Sequence, residues 1–185
     1  MTTAIFAVIL IVLSYAIGML GVVSPLVWLL LVPVQAVVGG VVVMLFLARV
    51  RHAGMLALFA LVVALFYLLS GNTLLSTAAI VLLGLLAELI VWAGGYRSRR
   101  AAVWAYAVFG LSYLTPFLPL LFAREDYFAS ASWSAMGEEY VAAAEALLSA
   151  PVVGALAVAI VVASLLGALL GSAMLRKHFV RAGLA

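Results

Sequence analysis

The first charged side chain of this 185-residue chain is Arg49, and three further runs, 53–87, 101–123 and 146–175, carry no Asp, Glu, Lys or Arg. Uncharged stretches this long, built of Leu, Val, Ala and Gly, cannot keep a protein surface wet. A soluble domain carries about 25% charged residues. Here the figure is 8%, with 70% hydrophobic residues and a mean hydropathy of +1.41. The bilayer is the expected solvent. A helix that crosses it needs roughly 20 mostly apolar residues, and its backbone must be satisfied within the segment itself.

Gly, Pro, Ser and charge divide the apolar runs into six expected spans. They cover about 4–22, 26–48, 54–70, 73–93, 101–122 and 151–175, within one all-α integral membrane domain over residues 1–185. Ser24-Pro25 has the chemistry of a helix start, with Ser as N-cap and Pro in the first turn. Gly94-Gly95 ends the fourth span and Pro151 opens the sixth. Residues 4–23 lack the charged leader and cleavage site of a signal peptide and are read as the first span. The absence of cysteine excludes disulfides and thiolate chemistry, and a net charge of +3, widely dispersed, gives no footing for nucleic acid.

Orientation is expected from Lys and Arg in short loops. Arg49, Arg51, Arg97, Arg99, Arg100, Arg176, Lys177 and Arg181 fall on one side of six alternating spans, and Arg124 alone on the other. Both termini are therefore expected to be cytoplasmic, in a multi-pass protein of the cytoplasmic membrane. The polar stretch 122–151, which holds five of the six acids, is expected outside. Within it, residues 138–149 have the pattern of a short amphipathic helix, with Tyr140, Val141, Ala144, Leu147 and Leu148 on one stripe. Two readings stay open: a helix lying on the membrane surface, or a lid over the mouth of the bundle.

In this orientation the outer halves of five spans collect the polar and aromatic side chains, and the inner halves are mostly aliphatic. Polar groups in lipid tend to face protein or a cavity, and ligand pockets are mostly apolar and aromatic with a few placed polar groups. Trp28, Gln35, Tyr67, Asn72, Tyr113 and Thr115 are the expected lining of an outward-facing pocket, with residues 123–149 as its cover. The competing explanation is an interfacial aromatic belt plus hydroxyls bonded to their own helices. Pro116 and Pro119 each free a carbonyl that protein or water must satisfy. Glu88, the only acid inside a span, is expected to snorkel and pair with Arg97, Arg100 or Arg49; the alternative, a proton or ion relay, has no second buried carboxylate to support it. In span six, Ala155, Ala159, Ala163, Gly167 and Gly171 recur every fourth residue, a ridge that packs inside the bundle or docks a partner.

No phosphate-cradling loop is present, and the two histidines, His52 and His178, lie at cytoplasmic ends. No cluster of metal ligands or acid–base residues is formed, so no metal, no cofactor and no enzymatic activity are expected.

Four stretches, "GGVVVMLFLARVRHAGML" (39–56), "LLGLLAELIVWAGGYRSRRAAVWAYAVFGL" (82–111), "GEEY" (137–140) and "GSAMLRKHFVRAGLA" (171–185), resemble the MptD-like (Trep_Strep) family of S components of energy-coupling factor (ECF) transporters. The resemblance lies in their order and spacing and runs over most of the chain. It implies a six-helix subunit that captures a vitamin or other micronutrient in its outer half and delivers it by toppling in the membrane. An EcfT-like transmembrane scaffold and two ATPases would be its partners. The scaffold contact would map to Thr3, Ala4 and Ala7 in span one, and Ala159, Ala163 and Gly167 in span six are the other candidates for a partner interface. An aromatic pocket favours a planar or apolar ligand, a vitamin ring or a tetrapyrrole. The rival classes are a self-sufficient small transporter or channel, and a structural membrane subunit.

Overall fold

The computed structural model describes residues 2–181, with the side chains of 177–181 excepted. The basic tail residues Lys177, His178 and Arg181 thus lie outside the described side chains. All regular structure among the described residues is helical. Helix α1, Thr2–Met19, ends in a 3-10 turn, Leu20–Val23; α2 is Pro25–Arg49, α3 Met55–Leu69 and α4 Leu74–Ala93. Helix α5, Arg99–Gly110, passes into a 3-10 stretch, Leu111–Phe117, and then α6, Leu118–Phe122. Three short helices follow, α7 Arg124–Phe128, α8 Ala131–Ser134 and α9 Glu138–Leu147, before the long α10, Ala150–Arg181.

Local chemistry accounts for most of these boundaries. The Ser24 hydroxyl accepts from the Leu26 N–H with Pro25 in the first turn, and Thr73 and Ser98 cap α4 and α5 in the same way. Five segments are long and apolar enough to cross a bilayer: Thr2–Val23, Pro25–Arg49, Leu74–Ala93, Arg99–Phe122 and Ala150–Arg176. Helix α3 is the exception. Its 15 residues rise only about 22 Å, short of a roughly 30 Å hydrocarbon core.

Glu88 accounts for how so short a helix is tolerated. It lies five residues before the end of α4, about 7 Å below it. Its carboxylate accepts from the N–H groups of Gly54 (2.8 Å), Leu56 (2.9 Å) and Ala57 (3.1 Å), which open α3, and from the Tyr96 hydroxyl (2.6 Å). The recessed helix start is thus satisfied by a carboxylate rather than by water. The expected pairing of Glu88 with Arg97, Arg100 or Arg49 is corrected: backbone amides, which cannot move away, occupy its oxygens.

The centre of the bundle is the α2–α10 pair. A Cβ on Gly40 would lie 2.5 Å from the Gly167 carbonyl carbon, so the two backbones meet only because neither residue has a side chain. Of the two readings of the span-six ridge, packing inside the bundle describes Ala163, Gly167 and Gly171, which are buried, and half-buried Ala159, while Ala155 is exposed. Thr3 and Ala7 on α1 are buried as well, against the interior, and of that trio only Ala4 faces outward.

Two cores stack along the bundle. One, toward the basic end, centres on Phe46, Phe59 and Phe109, with ring centroids 4.9 and 5.9 Å apart. The other, toward α7–α9, includes Val32, Phe117, Trp133, Leu148 and Ile160. The outer surface is aliphatic, with Val12, Leu30, Leu82, Val158 and Leu166 each more than half exposed, as a lipid-facing belt requires.

Candidate binding cavity under the α7–α9 cover

Where α1 and α3 end and α2 and α4 begin, the helices part around a cavity of about 600 Å³. The 3-10 stretch at 111–117 forms its deep wall and the α7–α9 segment its roof. Five of the six residues expected from the sequence line it: Trp28, Gln35, Tyr67, Asn72 and Tyr113.

Thr115 does not. It is 2% exposed, its hydroxyl donates to the Ser112 carbonyl at 2.8 Å, and its own carbonyl accepts from the Ser76 hydroxyl at 2.8 Å. The reason lies in the prolines. Pro116 and Pro119 have no N–H for the carbonyls four residues back, Ser112 and Thr115, and these two hydroxyls replace the missing donors. The expected ligand contact is corrected to a support of the wall. The same pair of prolines breaks the fifth span into α5, a 3-10 stretch and α6, where one continuous helix was expected. That break splays the chain and opens room beside Phe117.

The floor is polar but largely self-satisfied. The Gln35 amide donates to the Ser14 carbonyl at 3.0 Å, and Ser14 Oγ and the Tyr113 hydroxyl lie 3.2 Å apart. The Tyr106 hydroxyl donates to the Ala36 carbonyl at 2.6 Å beneath them. Gly39 makes this possible: a Cβ there would come within 2.5 Å of the Tyr113 oxygen and 2.7 Å of that of Tyr106. Gln35 lines the cavity, and its Oε1 accepts from no described group. Asn72 Nδ2 caps the end of α3 through the Tyr67 carbonyl, at 3.2 Å.

Aromatic rings form the upper wall. Trp28 packs on Phe117 at 4.8 Å and edge-on to Trp133 at 5.8 Å, and Tyr15 meets Phe66 edge-on at 5.2 Å, closing the gap between α1 and α3. Trp133 also touches the rings of Tyr127, Phe128 and Tyr140 at 5.1–6.2 Å, so the cover is a single aromatic cluster. Trp133 and Tyr127 were not singled out from sequence. The available signal was four aromatic positions, 127, 128, 133 and 140, in an otherwise polar stretch.

The cover is fastened at both ends. The Tyr140 hydroxyl donates to the Gly21 carbonyl at 2.9 Å. Arg124 donates to the carbonyls of Glu145 and Leu148 at the end of α9, and its guanidinium lies 5.3 Å from the Phe128 ring centroid. A cation there complements the negative end of the helix. The α9 stripe turns inward, with Ala144 and Leu148 buried and Val141 and Tyr140 half-buried. Of the two readings left open for this helix, the geometry selects the lid. Burial pushes the Tyr127 hydroxyl up to about 12 and raises that of Tyr140, so both are neutral donors at ordinary pH.

The lining includes one carboxylate, Asp126, at the rim, and no Lys, Arg or His. Among the described residues no group of three metal-ligating side chains is found. The arrangement suits reversible binding of a flat molecule with hydrogen-bonding edges.

Comparison with known proteins yields one family, described as Hypothetical bacterial integral membrane protein (Trep_Strep), which matches residues 1–181. No curated protein and no solved structure matches the chain.

Proposed function

The chain belongs to the Trep_Strep family of bacterial integral membrane proteins, and from that premise we propose that it is the substrate-capture subunit of an ECF-type importer for a vitamin or similar micronutrient. The observation that carries the reading is the covered, aromatic cavity of about 600 Å³ at the end of the bundle opposite all the described arginines but Arg124. By the excess of Lys and Arg in the other loops that end faces outward, in the cytoplasmic membrane. The volume lies within the roughly 300–1,000 Å³ of small-molecule sites. Delivery by toppling against an EcfT-like scaffold, driven by two separate ATPases, would complete the cycle. It is differential binding of one substrate in two orientations of the subunit.

The lining also bounds the substrate. An anion would enter without any counter-charge, a costly state in a site away from water. The substrate is therefore neutral or cationic, and planar enough to stack between Trp28 and the rings of the cover.

The test begins with mass spectrometry of whatever leaves the purified, denatured protein, followed by equilibrium binding of that compound in nanodiscs. Trp28→Ala is expected to weaken binding about thirtyfold, and Val161→Ala, midway along the α10 span and outside the cavity lining, to leave it nearly unchanged. Uptake into vesicles should require the scaffold and ATPases as added subunits. Uptake at full rate by this chain alone, or ATP hydrolysis by it, would sink the proposal.

A further inference from the structure

The opposite end of the bundle holds a second cavity, of about 230 Å³, between the ends of α2, α4 and α10 and the start of α5. Arg51, Arg97 and Arg99 line it, together with Tyr96, Ser98 and Ser172. All three arginines are exposed. Six arginines crowd this end among the described side chains, and the one acid near them is Glu88. Its oxygens are taken by three backbone N–H groups and Tyr96. The remaining five acids sit in the cover at the far end. Three arginines thus line one hollow, and among the described residues no carboxylate lines it with them.

We propose that this hollow is a headgroup site for an anionic phospholipid, its phosphodiester held among Arg51, Arg97 and Arg99. Guanidinium forks match phosphate oxygens two at a time, and the positive start of α5, at Ser98 and Arg99, adds to the same field. The position favours a lipid over a dissolved ion. The cavity lies at helix ends, where headgroups lie, and Trp92, the penultimate residue of α4, is 64% exposed in the manner of an interfacial anchor. Much of the remaining wall is apolar, including Met44, Leu47 and Val91, which suits a glycerol backbone and which a bare phosphate has no use for. Basic hollows between transmembrane helices are general sites for anionic headgroups. This site is independent of the substrate reading above.

The test is native mass spectrometry of the full chain in detergent with equimolar phosphatidylglycerol and phosphatidylcholine. The wild type is expected to retain one phosphatidylglycerol in preference. The triple variant R51Q/R97Q/R99Q should bind it on the order of a hundredfold more weakly, with no preference left, and R97Q alone about tenfold more weakly. The triple variant R49Q/R100Q/R176Q removes equal charge from the same end outside the cavity and should keep the preference. The proposal is overturned if the wild type holds both lipids equally, which would leave the arginines to acidic segments of a protein partner. It is also overturned if the two triple variants lose affinity alike, or if excess inorganic phosphate displaces the lipid from the wild type.

Discussion

Glu88 shows how a single residue can carry a meaning that its position alone does not convey. A carboxylate within an apolar run invites a salt bridge or an ion pathway as its explanation. Here it replaces the N-terminal cap that α3 lacks, because the capping position is Gly54, which has no side chain to offer. The left-handed conformation of Tyr96, at φ +58°, returns its ring toward α4, where the hydroxyl reaches Glu88. Burial and the carboxylate beside it push that hydroxyl up to about 12, so it donates at any ordinary pH. Glu88→Ala leaves three amides and a phenol unpartnered, and is expected to destabilise the fold by about 3 kcal/mol. Tyr96→Phe removes one of the four bonds and should cost about 1 kcal/mol. Equilibrium unfolding of both variants in detergent checks this; an Ala variant as stable as wild type would mean that water caps α3 as well as Glu88 does.

Among the elements, α9 and the broken fifth span decide whether a cavity exists. The fifth span departs from a regular helix where Pro116 and Pro119 forbid the i to i−4 bonds, and its 3-10 stretch forms the deep wall. The α9 helix has only 10 residues, too few to be stable alone in water. It persists by burying Ala144 and Leu148 and by the Arg124 clamp on its C-terminal carbonyls. Arg124→Ala should therefore loosen the roof without unfolding the bundle. Hydrogen exchange of the amides of 138–147 is expected to accelerate about tenfold, while that of α2 stays as in wild type. Equal protection in the two proteins would show that apolar packing alone holds the cover.

At the scale of the whole molecule, charge is sorted by end. The described arginines except Arg124 stand at one end and all acids except Glu88 at the other, with an aliphatic belt between. In a membrane this sorting sets orientation, since cytoplasmic loops carry the excess of Lys and Arg. Single cysteines at His52 and Ser134, both exposed and at opposite ends, should label with a membrane-impermeant reagent from inside and outside respectively. Labelling of both from one side would contradict the up-and-down arrangement of the helices. Replacing Arg49, Arg97 and Arg100 with Gln lowers the excess from eight against one to five against one, and should yield a minor population of inverted orientation in the same assay.

The sequence by itself determined the class of fold, most of the helix boundaries, the end at which the larger cavity lies and most of its deeper lining. Those properties follow from one-dimensional quantities: the length of uncharged runs, the capping chemistry of Ser24, Thr73 and Ser98, and the depth of each residue along its span. Only the tertiary structure decided which face each residue turns. Thr115 and Tyr113 share a depth, yet one props a proline break and the other lines the cavity. Gly167 and Ala163 form a ridge on any helical wheel, and the sealing of Gly167 against α2 depends on Gly40 meeting it from another helix. Glu88 found its amides 31 to 34 residues away. Rotation about a helix axis and the choice of neighbour are settled by packing between segments distant in the chain, and the uniformly apolar helices of a membrane protein have too little polar contrast around their circumference to reveal either.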